Sequence, residues 1–95
     1  MRSTLTLGAV AACALLLLSC DERPATWKAF VYPDRENMDR VLKLDGFVDL
    51  KSCQVAAFGT LAFLDRISEG DYECGYRCAP KADFGGLDVC AETRR

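Results

Sequence analysis

The stretch DLKSCQVAAFGTLAFLDRISEG, residues 49–70, contains the clearest secondary-structure element of the chain, because its apolar residues recur at helical intervals. These residues are Cys53, Ala57, Leu61 and Leu64. Asp49 is a suitable N-cap, since its carboxylate can accept hydrogen bonds from the free amides of the first helical turn. Gly70 suits the left-handed position that often follows a helix. The sequence therefore predicts one main helix from about residue 50 to residue 68.

Two segments with strand character precede this helix. TWKAFVY, residues 26–32, is rich in aromatic and β-branched residues, and VLKLDGF, residues 41–47, alternates in polarity. Pro33 ends the first segment, because proline cannot donate to a strand ladder. A β-hairpin is the simplest arrangement of the two. Its first strand would present Trp27, Ala29 and Val31 on one face and Lys28, Phe30 and Tyr32 on the other.

The C-terminal segment, residues 71–95, completes the predicted domain. Within it, residues 72–74 and 87–91 are candidates for short strands joined by a loop that contains glycine and proline. The whole pattern predicts the α+β class: a small antiparallel sheet of two or three strands, one main helix and a disulfide-bound C-terminal segment. This domain is expected to cover residues 26–95.

Four cysteines lie in this domain: Cys53, Cys74, Cys78 and Cys90. An even number in a small exported domain predicts two disulfides, because so short a chain builds only a small core. The favoured pairing joins Cys53 to Cys78 and Cys74 to Cys90. Cys53 would face the packed side of the helix, and Cys74 and Cys90 lie in the two segments expected to pair.

Two other connectivities remain open. If Cys90 points away from the core on a regular strand, together with Asp88, the pairing becomes Cys53 with Cys74 and Cys78 with Cys90. The third connectivity joins Cys53 to Cys90 and Cys74 to Cys78.

The N-terminus has the pattern of an export signal. Arg2 supplies a short positive region, and residues 5–18 are almost wholly apolar. This stretch of about 14 residues is shorter than the roughly 20 that a membrane-spanning helix needs. No ordinary small-residue cleavage site follows it, because Ala12-Cys13-Ala14 lies inside the apolar run.

Leu17-Leu18-Ser19-Cys20 resembles the lipobox of bacterial lipoproteins. The resemblance implies a signal peptide over residues 1–19 and cleavage before Cys20. It also implies diacylglycerol on the Cys20 thiol and acylation of the new amino group. Residues 20–25 would then form a lipidated tether. The competing interpretations are an uncleaved membrane anchor and ordinary cleavage that leaves Cys20 as a further thiol.

A lipoprotein of this kind would lie in the cell envelope, anchored by palmitate or similar acyl chains on the extracytoplasmic side. In enteric lipoproteins, Asp directly after the lipidated cysteine favours retention in the inner membrane, facing the periplasm, and this chain has Asp21. The tail YECGYRC…GGLDVCAET is similar to that of short, cysteine-paired exported bacterial proteins of unknown role. This second resemblance implies disulfides and an envelope location, and no substrate.

Charge and composition narrow the function classes. Loss of Arg2 with the signal leaves 11 of the 12 basic residues against 14 acidic ones, so the net charge goes from −2 to about −3. A weakly acidic surface argues against nucleic-acid binding, and leaves membrane attachment to the acyl chains. The chain contains no histidine, which removes the commonest general base and the usual zinc ligand.

No catalytic residues, metal ligands or cofactor are predicted. Cys74 and Cys78 are spaced C-x3-C, which differs from the C-x-x-C of thioredoxin-like redox centres. If Phe30 and Tyr32 lie opposite Trp27, one face of the sheet would expose aromatic side chains and mark a protein interface. Packing in the core is the favoured interpretation for each of these side chains. The sequence thus favours a non-enzymatic binding module with an unidentified protein partner. The alternative is a small periplasmic thiol-disulfide or hydrolytic activity.

Overall fold

Four antiparallel strands and one helix make up the fold in the computed structural model, which describes residues 23–95. The strands are β1 (Trp27–Tyr32), β2 (Leu42–Phe47), β3 (Asp71–Lys81) and β4 (Leu87–Arg94). The helix α1 spans Leu50–Phe63, and a short 3₁₀ turn covers Ala82–Phe84. The strand order across the sheet is β2-β1-β3-β4.

The predicted α+β class is confirmed, and the sheet is larger than expected. The β1–β2 hairpin pairs as predicted, with Val31 opposite Leu42 and Ala29 opposite Leu44. The fourth strand arises because β3 pairs with β4 over nearly its whole length, from Cys74 to Lys81. The sequence did not predict this length, because β3 contains Gly75 and Pro80, and glycine and proline are uncommon within strands.

The core lies between α1 and one face of the sheet. Its buried members are Ala29, Val31, Cys53, Ala57, Leu61 and Cys74. Trp27, Leu44, Phe47, Leu50 and Tyr72 pack against them with partial exposure. The predicted division of β1 into two faces therefore holds: Ala29 and Val31 face the helix, and the opposite side of the sheet is here called the outer face.

The helix begins where the sequence predicted and ends earlier. Asp49 is the N-cap, and its carboxylate accepts a hydrogen bond from the Ser52 N–H at 2.7 Å. The helix ends at Phe63, five residues before the predicted end at residue 68. Asp65 takes the left-handed conformation, with φ of 57°, which a right-handed helix cannot include. The prediction that Gly70 takes the left-handed conformation after the helix was therefore wrong.

Gly70 serves close packing instead. A Cβ at this position would lie 2.7 Å from the carbonyl oxygens of both Arg66 and Tyr32. Arg35 holds the same loop from outside. Its guanidinium donates to the carbonyls of Ser68 at 2.9 Å and Gly70 at 2.7 Å. The loop between α1 and β3 therefore has a defined path although most of its side chains are exposed.

Arg77 turns the β3 strand. Its φ of 52° lies in the left-handed region, and its N–H donates to the Thr26 carbonyl at 3.1 Å. Regular alternation would place Cys78 on the helix side with Cys74. However, a Cβ added to Gly75 would lie 2.6 Å from the Cys78 Sγ, so Cys78 lies on the outer face.

The favoured disulfide pairing was therefore wrong. The structure joins Cys53 to Cys74 and Cys78 to Cys90, which is the second of the three connectivities. Cys74 is on the helix side, where its Cα lies 6.2 Å from that of Cys53. The turn at Arg77 sends Cys78 to the outer face, where it lies directly opposite Cys90 in the ladder. Cys53 and Cys78 consequently lie on opposite sides of the sheet.

Candidate functional site

The part of the β3–β4 hairpin beyond Arg77, residues 78–90, is here called the arm, and it bends across the outer face. Asp88 of the arm lies 3.1 Å from the ammonium nitrogen of Lys28 on β1 and 3.1 Å from that of Lys43 on β2. Asp45 of β2 lies 3.7 Å from the same Lys28 nitrogen. These two lysines and two aspartates form a charge-balanced cluster that closes the arm onto the sheet.

The Asp88 carboxylate is nearly enclosed, with 7% of its side chain exposed. Its Oδ2 atom is buried and lies 3.1 Å from each of the two ammonium nitrogens. Burial by itself raises the pKa of Asp88, but hydrogen bonding to Lys43 and Lys28 and their positive charges outweigh it. The pKa of Asp88 is lowered on balance, and the group is ionised at neutral pH.

The arm covers Phe30, so this side chain is packed, as favoured above, and does not form an exposed aromatic patch. Phe30 is only 7% exposed, with the Lys28 ammonium 5.8 Å from its ring centre. A cleft of about 280 Å³ remains between the arm and the sheet. Its lining includes Phe30, Tyr32, Met38, Val41, Leu87 and Cys90.

Tyr32 contributes a polar group, its hydroxyl, to the lining of this cleft. Its hydroxyl donates to Glu73 Oε1 at 3.4 Å. Burial raises the pKa of Tyr32, and the negative charge of Glu73 and the hydrogen bond to it raise it further, with a smaller effect from Asp71. Tyr32 therefore stays protonated at neutral pH, where it can act only as a neutral hydrogen-bonding group.

The exposed side of α1 and the neighbouring Tyr72 of β3 form a second surface, here called the helix surface: Val55, Phe58, Gly59 and Tyr72. It forms a shallow depression of about 540 Å³, with Lys51 and Gln54 at its rim. Val55 is 60% exposed and Phe58 is 52% exposed. Across all 14 residues of α1, Lys51 is the only charged side chain.

The chain end lies beside the helix surface. Gln54 of α1 donates to the Arg95 carbonyl at 2.8 Å, and the Arg95 guanidinium pairs with Asp71 at the start of β3. These contacts join α1, β3 and the end of β4 around the rim of the depression. Sequence reasoning missed this surface because it followed only the apolar stripe of the helix that begins at Cys53 and did not consider Val55 or Phe58.

The described chain begins inside the predicted tether, and Arg23 contacts the arm there. The Arg23 guanidinium donates to the Val89 carbonyl at 3.2 Å, and the Arg77 guanidinium donates to the Arg23 carbonyl at 2.9 Å. The backbone at residue 23 thus lies against the base of the arm.

Cys20 and the predicted signal peptide, residues 1–19, lie outside the described residues. Cys74 and Cys78, considered above as a redox pair, belong to two different disulfides. Within residues 23–95, no group of three or more acidic, cysteine or histidine side chains is placed to hold a metal ion. In the same range, no helix is both long and apolar enough to cross a membrane.

No protein-family model, curated protein or solved structure matches this chain.

Proposed function

We propose that this protein is an envelope lipoprotein, anchored through acyl chains on Cys20, that binds a partner protein through the helix surface and catalyses no reaction. The observation that carries the proposal is the solvent-exposed apolar face of α1. A helix that meets water normally places charged residues there, whereas a helix apolar on all sides is normally covered. In α1 the exposed side has Val55 and Phe58 where charges would stand.

A protein partner suits this surface better than a small molecule. The depression is open and shallow, so it would leave most of a small ligand in water, whereas ligand pockets enclose most of theirs. An aromatic ring, an aliphatic side chain and a tyrosine grouped together are typical of the centre of a protein interface. Covering them removes apolar area from water, which favours association.

Two features support the envelope location. The lipobox-like segment ends at Cys20, and three acyl chains would hold the protein firmly, because each buried methylene contributes about 0.8 kcal/mol. The two disulfides are typical of proteins that fold in an oxidising compartment outside the cytoplasm. Asp21 favours the inner membrane, with the domain in the periplasm.

Lipidation is tested by labelling cells with palmitate. We expect Cys20→Ser to leave an unprocessed precursor without label, and Cys13→Ser to be processed and labelled normally, since Cys13 is removed with the signal. Labelling of the Cys20→Ser protein would contradict the proposal. Sucrose-gradient fractionation tests the membrane: recovery with outer-membrane markers would reject the inner-membrane location.

Partner binding is tested with a photoreactive phenylalanine analogue at Phe58, compared with the same analogue at Met38. Met38 is also half-exposed but lies at the cleft beside the arm. We expect one defined crosslinked protein from position 58 and none from position 38, with the crosslink lost when Val55→Glu is added. A crosslink between two copies of this chain would show that the helix surface binds a second copy of this protein and not a different protein. No crosslink at position 58 would reject the helix surface.

A further inference from the structure

The contacts of Arg23 constrain how the domain stands on a membrane. Only two residues separate Arg23 from Cys20, so at most about 11 Å of chain, three Cα–Cα steps, lies between them. Arg23 itself lies against the arm through Val89 and Arg77. An acyl group on Cys20 would therefore enter the bilayer close to the arm.

The tip of the arm is apolar and open to solvent. Phe84 is 59% exposed and Leu87 is 67% exposed. They flank the turn Gly85-Gly86, whose two residues have φ values of 65° and 81°. Lys81 precedes this turn and has a long stem that can reach from an apolar layer to the headgroups.

We infer that the tip of the arm, through Phe84 and Leu87, inserts into the interfacial layer of the same bilayer that holds the Cys20 acyl chains. This inference rests on the proposed acylation of Cys20. A lipid surface is the occupant that the chain length favours, because the anchor brings it within reach of the tip. When an anchor already holds apolar side chains at the bilayer surface, moving them from water into the interfacial layer lowers the free energy.

Contact between the arm and the bilayer would also determine which way the helix surface faces. The arm lies on the outer face of the sheet, and α1 packs on the opposite face. With the arm on the bilayer, Val55 and Phe58 face away from the membrane into the aqueous compartment. The docking side for a partner is then the membrane-distal side of the domain.

The test uses the full-length acylated protein in phosphatidylcholine vesicles whose acyl chains carry bromine, which quenches nearby indole fluorescence. Trp27 is the only tryptophan and is replaced by Trp27→Phe. Phe84→Trp is then compared with Phe58→Trp, which is similarly exposed but lies on α1. We expect the indole of the Phe84→Trp variant to lose most of its emission in brominated vesicles, and that of Phe58→Trp to keep it.

Palmitate incorporation and the absence of free thiols are measured on both variants. Acylated, fully oxidised protein in which the Phe84→Trp indole is not quenched would overturn the inference and leave the lipid anchor intact. Equal quenching in both variants would overturn it as well, because the domain would then have no fixed orientation. Absence of label in both would overturn the proposed anchor and this inference together.

Discussion

Asp88 of β4 lies 3.1 Å from the ammonium of Lys43 on β2, although these two strands are the opposite edges of the sheet. The contact exists because the hairpin turns at Arg77 and crosses the outer face. One carboxylate therefore holds the arm over both β1 and β2, since it also contacts Lys28. The arm covers Phe30, and this ion cluster holds the arm in that position.

Removing the Asp88 charge should release the arm. We expect Asp88→Asn to lower the free energy of unfolding at pH 7 by about 1–3 kcal/mol, because the partly buried Lys28 and the exposed Lys43 both lose this carboxylate. Urea denaturation with intact disulfides measures this loss. Asp83→Asn, on the exposed turn of the arm, is the control and should change stability little.

The loss should also depend on pH. Because the pKa of Asp88 is lowered in the folded state, its contribution is complete above its unfolded value of about 3.9 and disappears as pH falls through the folded value. The difference between wild type and Asp88→Asn should stay constant from about pH 5 to 7 and shrink below about pH 4. A difference that grew on acidification would show that the ion cluster does not stabilise the fold.

Gly75 should be intolerant of any side chain. A Cβ there would meet the Cys78–Cys90 bridge, with the Cys78 Sγ 2.6 Å away. We expect Gly75→Ala to lower the free energy of unfolding by about 1–3 kcal/mol, as overpacking does. Gly59→Ala is the matched control, because its Cβ would meet nothing within 4 Å, and it should stabilise the helix by about 0.5–1 kcal/mol.

Tryptic digestion without reduction should yield two crosslinked peptide pairs. Residues 52–66 should be joined to residues 67–77, and residues 78–81 to residues 82–94, because cleavage at Arg77 separates Cys74 from Cys78. Mass spectrometry identifies both pairs. Any peptide joining residues 52–66 to residues 78–81 would reverse the pairing.

Arg35 should stabilise the loop between α1 and β3 through its fork of donors. Its guanidinium reaches the carbonyls of Ser68, Glu69 and Gly70. Arg35→Ala should therefore accelerate amide hydrogen exchange at residues 66–70. Arg35→Lys should fail to restore protection, since a single ammonium cannot reproduce the planar fork. Full rescue by lysine would show that charge alone matters.

Some of this fold could be read directly from the residues. The start of α1 at Asp49 and the two faces of β1 follow from local rules that involve neighbouring positions only. The end of α1 could not be read in this way, because the apolar spacing continues to Leu64 and beyond. The left-handed conformation of Asp65, which ends the helix, is supported by packing of the following loop against Tyr32 and Arg35.

Residue types and local spacing were sufficient to predict the α+β class, the helix start, the number of disulfides and the lack of histidine chemistry. Each of these depends on residue types and on spacing along a helix or strand. Three features depend on long-range contacts and could not be predicted in this way: the pairing of the cysteines, the covered outer face and the exposed helix surface. The first two follow from the left-handed backbone at Arg77, which reverses the strand alternation between Cys74 and Cys78. The third follows from the packing of α1, which turns Cys53, Ala57 and Leu61 toward the sheet. The residue type at position 77 does not predict this reversal. The reversed strand is held by contacts between residues far apart in the chain, such as Arg77 with Thr26 and Asp88 with Lys28.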